Sequence, residues 1–341
     1  MLNDEAPFAA GAADKNDSLV SAGRSRVRPP FRIAAIGELL WDLLPDGPQL
    51  GGAPANFASL SANLTPADSF GSGDTVFLIS RVGSDPLGTQ ALHRLRSHRV
   101  VSDFLSVDPT HPTGTVTVTL NAGRDAAYCI HQPAAWDFIP QSPSLAALAP
   151  TLDAICFGTL AQRSPVTRET LRGFVEATRP DCLRVFDVNL RAPYWNAETL
   201  AWGCTHASIL KMNEEEAPIV ARALKFFAPE PCSQNKNLLA VAHLLLERFP
   251  AQLVAITRGG RGCLLVTREA TCDHSGIAVE TMAMVDSIGA GDAFTAALTH
   301  AMLRHRPLPV VAEEASYWGS WAITQAGGMP LPDRNARRNV H

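Results

Sequence analysis

Asp286-Ser287-Ile288-Gly289-Ala290-Gly291-Asp292-Ala293-Phe294 sets two glycines and an alanine directly before an aspartate, and an apolar, helix-forming run follows from Ala293 to Leu303. Small residues let the backbone turn tightly and bring its N–H groups close to a ligand. The first turn of a helix has N–H donors without intrahelical partners and carries the positive end of the helix dipole, so it favours an anion. A carboxylate beside such an anion hole is electrostatically awkward unless it takes a proton while negative charge grows nearby. Amides for a moving phosphate and a carboxylate for an attacking hydroxyl are the parts of phosphoryl transfer. A bare glycine turn in which Asp292 is only a favourable first-turn acid would look the same, so the rest of the chain has to decide.

A second glycine-rich turn lies far upstream, Gly51-Gly52-Ala53-Pro54-Ala55-Asn56-Phe57-Ala58. It too runs into an apolar helical pattern, with Pro54 suited to a first helical turn. Asn56 then sits near that helix start, where it can donate and accept hydrogen bonds to a polyol or simply cap the helix.

These two segments resemble the paired signatures of the ribokinase-like (PfkB) carbohydrate kinases. Between them the agreement continues. Gly37-Glu38-Leu39-Leu40-Trp41-Asp42 resembles that family's first strand and its sugar-binding aspartate, and Asp187-Val188-Asn189-Leu190-Arg191 its fructokinase-branch D-x-N-x-R stretch. Lys211-Met212-Asn213-Glu214-Glu215-Glu216 is similar to the family's K-x-N-x-x-E segment, and Thr257-Arg258-Gly259-Gly260-Arg261-Gly262 to its nucleotide turn. The six motifs run in order from about Phe31 to Asp333. Ser287 departs from the usual threonine but keeps the hydroxyl.

The resemblance implies a three-layer α/β/α ribokinase-like fold with a mostly parallel central sheet and a small β-sheet lid. It implies ATP-dependent phosphorylation of a sugar, with D-fructose to fructose 6-phosphate as the first reading. Asp292 would be the catalytic base, and Gly289, Ala290 and Gly291 the anion hole. Asp42, Gly51, Gly52, Asn56 and Arg191 would face the sugar, although Asp42 also reads as a solvated loop acid and Arg191 as a partner for a nearby carboxylate. Lys211, Asn213, Thr257, Gly259, Gly262, Asp286 and Ser287 would lie on the nucleotide side. Glu214, Glu215 and Glu216 fit a solvated helix face; only Glu216 falls on the position linked to Mg²⁺, through water. A monovalent cation is compatible with the same scaffold. 2-Keto-3-deoxygluconate kinase or another sugar kinase on this fold is the alternative, and a catalytically idle sugar- or nucleotide-binding regulator is a different class. The intact Gly-Ala-Gly-Asp argues against idleness. A dinucleotide-dependent dehydrogenase does not fit, because the first strand leads to Gly37-Glu38-Leu39 and not to GxGxxG.

Composition agrees without adding much. The 341 residues are long enough for a sizeable core, and 46% hydrophobic with 18% charged residues is ordinary for a globular enzyme. A formal net charge of −4 gives no support to nucleic-acid binding. No apolar run approaches the ~20 residues that span a bilayer. Seven scattered cysteines without a CxxC argue for reduced thiols in a cytoplasmic protein and against a zinc site. The expected partners are therefore ATP and a small sugar, with neither nucleic acid nor membrane, in a monomer or homodimer.

Residues 1–30 are rich in Ala, Gly, Ser and Asp and then turn basic before Pro29-Pro30, which reads as a disordered extension; residues 334–341 read as a short tail. From residue 31 to 333 the chain punctuates as one α/β domain. Short apolar runs at 32–37, 76–82, 153–157, 183–188, 207–210 and 253–257 alternate with helix-like stretches, implying parallel βαβ units. Ser84 or Asp85 should cap a helix running to about His98. Sites in such sheets lie at the carboxyl ends of the strands, where Glu38, Asn189, Lys211 and Thr257 fall. Residues 113–120 (TGTVTVTL) break the alternation with period two and can pair back with 126–131 across a turn at 121–125. The resemblance makes the lid from this hairpin, about 111–132, and from residues 39–50; an ordinary edge hairpin is the other reading. His131, Trp136 and Asp137 would fall at the lid and its hinge.

Overall fold

The computed structural model describes residues 30–45, 47–64, 73–120, 126–226, 234–280, 283–333 and 336. The expected extension before residue 30, the 121–125 turn and most of the 334–341 tail lie outside the described residues. The strands are β1 (Arg32–Ile36), β2 (Leu40–Leu44), β3 (Gly47–Gly51), β4 (Thr75–Gly83), β5 (Leu105–Asp108), β6 (Gly114–Leu120), β7 (Ala126–Ile130), β8 (Ala154–Gly158), β9 (Leu183–Asp187), β10 (Ile209–Asn213), β11 (Leu253–Thr257), β12 (Cys263–Val266) and β13 (Thr271–His274). The helices are α1 (Ala53–Leu64), α2 (Pro86–Ser97), α3 (Pro143–Leu148), α4 (Pro165–Glu176), α5 (Ala197–His206), α6 (Glu216–Ala223), α7 (Gln234–Arg248), α8 (Ala290–Leu303) and α9 (Leu308–Ala322).

Nine strands form one sheet in the order β13-β12-β11-β10-β9-β8-β1-β4-β5. Pairing is parallel from β5 through to β11, and only β12 and β13 add on antiparallel. Alternate strand residues feed two cores. Ile33, Ala35, Leu78, Val185 and Ala255 pack under α1, α2, α8 and α9. Ala34, Ile36, Ile79, Phe186 and Ile256 pack under α3 to α7 on the other face. Burial on both faces explains why these strands read as continuous apolar runs rather than as alternation. The result is the expected three-layer α/β/α arrangement.

The chain runs outward from β1 to β4 and β5 on one side, then returns to β8 and proceeds to β11 on the other. The order therefore reverses beside β1, which opens a crevice at the strands' carboxyl ends. Both glycine turns, Glu38 and the end of β9 meet there.

The period-two stretch is not an edge hairpin of the main sheet. It forms a separate four-stranded sheet, β3-β2-β6-β7, in which β2 and β6 pair in parallel at the centre and each hairpin partner lies outside. Residues 39–50 and 113–131 are thus joined along their middle. Leu40, Val116 and Ile130 turn inward onto Ala134, Trp136 and Leu160, a small apolar cluster between this sheet and the body.

Some boundaries differ from expectation. The strand expected at 207–210 runs as Ile209–Asn213, because parallel pairing with β11 carries it on to Asn213 opposite Thr257. Lys211 and Asn213 therefore lie in the strand. The helix expected from Ala293 begins at Ala290, with Gly289 as its N-cap in the left-handed region (φ 79°). Asp85, not Ser84, caps α2 by accepting the Gly88 N–H.

Candidate active site

Asp292 stands at the third position of α8. The first helical bond there runs from the Ala293 N–H to the Gly289 carbonyl at 2.8 Å, so the Gly291 and Asp292 amides come before the intrahelical ladder. A Cβ on Gly289 would lie 2.7 Å from the Gly328 carbonyl oxygen, and one on Gly291 3.0 Å from Lys211 Nζ. Gly289 is thus demanded by close approach as well as by its left-handed conformation, while Gly291 leaves room for the Lys211 ammonium. Asn56, on the second turn of α1, donates from Nδ2 to Asp292 Oδ2 at 2.7 Å across 236 residues of sequence. Its Nδ2 does not cap the helix but holds the carboxylate, while its buried Oδ1 accepts no hydrogen bond among the described residues.

Beneath the first turn of α8 lies a buried charge network. Lys211 Nζ donates to both oxygens of Asp187 at 3.1 Å, and Thr295 Oγ1 donates to Asp187 Oδ2 at 2.9 Å. Burial disfavours the Lys211 charge, but the carboxylates of Asp187, Glu216 and Asp292 outweigh it and hold its pKa above the ordinary value. Asp292 is pushed up to about 6, first by desolvation and then by Asp187, against the Asn56 hydrogen bond and the charges of Lys211 and Arg191.

Two further carboxyl groups share this environment. Asp42 on β2 is raised to about 6 by burial, which Arg191 opposes and Asp286 reinforces. A Cβ on Gly51 would come within 2.7 Å of its Oδ2. Glu38, 5% exposed, is raised to about 7 by burial; its own amide and that of Ala53 donate to it, Asp292 raises it and Arg191 lowers it. Gly52, with φ 104°, makes room for this arrangement, since a Cβ there would lie 2.5 Å from the Glu38 carbonyl oxygen. Glu38, Cys156, Asp187, Asn189 and Asp292 line a crevice of about 10 Å³ at the base of the site, space for about one water.

The carboxylate of Glu216 accepts the Leu190 N–H at 2.6 Å and the Asn213 N–H at 2.9 Å, while Asn213 Oδ1 accepts the Glu215 and Glu216 amides. Glu216 is therefore buried and engaged with the backbone rather than part of a solvated face. Glu214 instead pairs with Arg261. No group of three or more His, Cys, Asp or Glu side chains able to hold a metal occurs among the described residues.

The remaining predicted residues flank this centre. Thr257 ends β11 beside Asn213 and lies near the Met212 carbonyl (3.4 Å). Gly259 and Gly262 take positive φ in the following turn, and a Cβ on Gly262 would collide with the His274 carbonyl oxygen at 2.0 Å. Asp286 accepts the Ile288 N–H at 2.9 Å and the Gly327 N–H at 3.2 Å, which ties the loop before α8 to the segment after α9, and Ser287 is exposed. Arg191 is exposed in its own loop, yet its charge acts on Glu38, Asp42 and Asp292 together. The structure thus gathers Asp42, Gly51, Gly52, Asn56, Arg191, Lys211, Glu216 and the 289–292 turn around one centre, with residues 257–262 and 286–287 beside it.

Sequence reasoning assigned no role to Glu38, Asp187 or Thr295. Asp187 opens the D-x-N-x-R stretch, which marked it. Glu38 stands just past the exit of β1, ahead of both glycine-rich turns. Thr295 carries no signal, because its partner is 108 residues away.

Comparison with known proteins agrees with this geometry. Residues 48–334 match the family described as pfkB family carbohydrate kinase. The chain is 28% identical over 316 residues to a fructokinase of Salmonella typhimurium, covering 87% of this chain and 95% of the relative. Among solved structures, a sugar kinase of Pyrococcus horikoshii in complex with ATP matches with a TM-score of 0.72 and 25% identity, covering 91% of this chain and 100% of that one. The fructokinase of Vibrio cholerae in its fructose-, ADP- and calcium-bound form matches with a TM-score of 0.71 and 25% identity, covering 91% and 98%.

Proposed function

The chain belongs to the pfkB family of carbohydrate kinases, and from that premise we propose that it transfers the γ-phosphoryl group of ATP to D-fructose, giving fructose 6-phosphate. The observation that carries the reading is the Asp292 carboxylate at the glycine-rich N-terminus of α8, held by Asn56 and raised to about 6. A base of that pKa is ionised at neutral pH and still close enough to it to accept a proton efficiently. As the sugar oxygen bonds to phosphorus and the bond to ADP breaks, the hydroxyl proton passes to Asp292. The amides of the first turn of α8 and the nearby Lys211 charge stabilise negative charge on the transferring group.

Asp42, Gly51, Gly52 and Arg191 face the sugar, and Asn56 serves it by orienting Asp292. Residues 257–262, together with Lys211, Asn213, Asp286 and Ser287, form the nucleotide side. Mg²⁺ on the ATP phosphates would be held through water near Glu216, whose oxygens already accept two backbone amides, and supplies charge neutralisation there. The small sheet acts as a cover that keeps water from competing with the sugar. Buried free thiols at Cys156, Cys182, Cys204 and Cys263 suit a reducing, cytoplasmic setting; the described helices include none long and apolar enough to cross a membrane.

The choice of fructose is supported by the fructokinases among the relatives and by the fructose bound in the Vibrio cholerae enzyme. The same scaffold also accommodates 2-keto-3-deoxygluconate or another sugar. The test is a panel of hexoses, pentoses and 2-keto-3-deoxygluconate with ATP consumption as the readout. Fructose should give the highest kcat/KM. A higher value for another sugar reassigns the substrate, and turnover of none overturns the kinase reading of this site.

A further inference from the structure

Where β7 leaves the small sheet, two side chains of the body seize successive backbone carbonyls. Tyr194 Oη donates to the Ile130 carbonyl at 3.1 Å, and Arg163 Nη2 donates to the His131 carbonyl at 3.0 Å. The two grips differ in kind. Arg163 is fixed by a bidentate pair with Asp137 at 2.7 and 2.8 Å, both side chains being 6% exposed, and it lies 3.9 Å from the Trp136 ring centroid. Asp137 in turn accepts the Ala134 N–H at 2.9 Å. Tyr194 is half-buried against the cluster of Leu40, Val116, Ile130 and Trp136, and its hold on Ile130 is one neutral hydrogen bond.

Tyr194 also closes a turn that begins at Arg191, because its N–H donates to the Arg191 carbonyl at 2.7 Å. The guanidinium at the head of that turn acts electrostatically on Asp42 of β2 and on Glu38 and Asp292 in the site. One four-residue turn therefore addresses β2 through a charge and β7 through a hydroxyl, with β6 between them. The same turn addresses the proposed base through its charge.

We propose that the 191–194 turn couples the occupied site to the position of the small sheet, with Tyr194 as the positioning residue and the Arg163–Asp137 pair as the fixed pivot. The inference rests on the kinase reading with the small sheet as cover. A sugar whose hydroxyls hydrogen-bond the Arg191 guanidinium beside Asp42 shifts the turn as a unit, since the turn's own hydrogen bond closes it. Tyr194 then carries the end of β7 with it. The doubly bonded Arg163 stays in place.

The Arg163 guanidinium also lies over the Tyr194 ring, 4.9 Å from its centroid, and the test is Tyr194→Phe, which keeps that contact and the apolar packing and removes only the hydroxyl. Three readings are taken: amide exchange across 126–131 without ligand, the KM for the best sugar of the panel, and the KM for ATP. Loss of one neutral bond should speed exchange at the end of β7 by about 3–10-fold and raise the sugar KM by a similar factor. The ATP KM should stay within about twofold. Exchange that changes while the sugar KM does not would make Tyr194 a structural tie only and overturn the coupling. Equal rises in both KM values, or no change in either exchange or KM, would overturn it as well. If the unaltered enzyme phosphorylates no sugar, the kinase reading fails on its own, and ligand-free exchange still decides whether Tyr194 holds β7.

Discussion

Two buried ion pairs, nearly equal in exposure, serve opposite ends here. Arg163 and Asp137 are each 6% exposed at the root of the small sheet; Lys211 and Asp187 are 7% and 6% exposed beneath α8. At the root, one cation meets one carboxylate, and their other bonds go to backbone groups. Under α8, one lysine answers Asp187, Glu216 and Asp292 together, and Glu38, Asp42 and Asp292 all sit above the ordinary carboxylate range. A balanced pair fixes geometry. Under α8, burial raises Glu38, Asp42 and Asp292 toward neutrality, and the Asp187 charge adds to this at Asp292, which suits proton transfer in a kinase site.

The sharpest way to break this contrast is Asp292→Asn. It should lower kcat by roughly 10²–10⁴-fold while ATP binding persists; near-normal turnover would remove the base. In the unaltered enzyme the carboxylate form is present above about pH 6 and lost as pH falls through that value. The kcat/KM profile should therefore turn downward near 6, whereas an unperturbed aspartate would turn near 4.

Next in size come Lys211→Met and Arg163→Met. Each strands a buried carboxylate and should cost about 3–5 kcal/mol in denaturant unfolding. Only Lys211→Met should also shift the acid limb of kcat/KM, and upward, since Asp292 loses a neighbouring cation. Arg163→Met should leave the limb near 6. An equal shift in both variants would abolish the distinction between the two pairs.

The smallest effect is expected from Glu38→Gln. The folded-state pKa of Glu38 is raised to about 7 from an ordinary 4.5, so its favourable contribution is full below the unfolded value and lost as pH rises through about 7. The Gln variant should then be more stable than the unaltered protein by ~1–3 kcal/mol at pH 8, with the gain vanishing near pH 4.5. Unfolding measured at both pH values checks this. A gain that does not change with pH would mean that packing, and not charge, is responsible.

Legibility followed the local physics of each segment. Strands buried on both faces announced themselves as apolar runs, and 253–257 was found to the residue because Leu253–Thr257 is bounded by a glycine turn. β5, β12 and β13 were missed: each has four residues, and β13 (TCDH) is a polar edge whose existence depends on pairing with β12. Gly289 and Gly52 were legible as turns, but the atoms that forbid a side chain there, the Gly328 and Glu38 carbonyls, come from distant sequence. Asn56 read as a sugar ligand or a helix cap, and neither reading contained its bond to Asp292.

By itself the sequence determined the class of the sheet, the two glycine turns, a helix at Asp292, and a period-two hairpin. These follow from residue size, backbone freedom and hydrophobic period, which act over a few residues. Only the tertiary structure decided that β2 and β6 pair in the middle of one small sheet, that Asn56 holds Asp292, and that Thr295, Asp187 and Lys211 form one network. It also decided that Glu38, Asp42 and Asp292 share a desolvated centre. A carboxyl group's proton affinity is set by the charges and the water around it, and folding brings those from segments hundreds of residues apart.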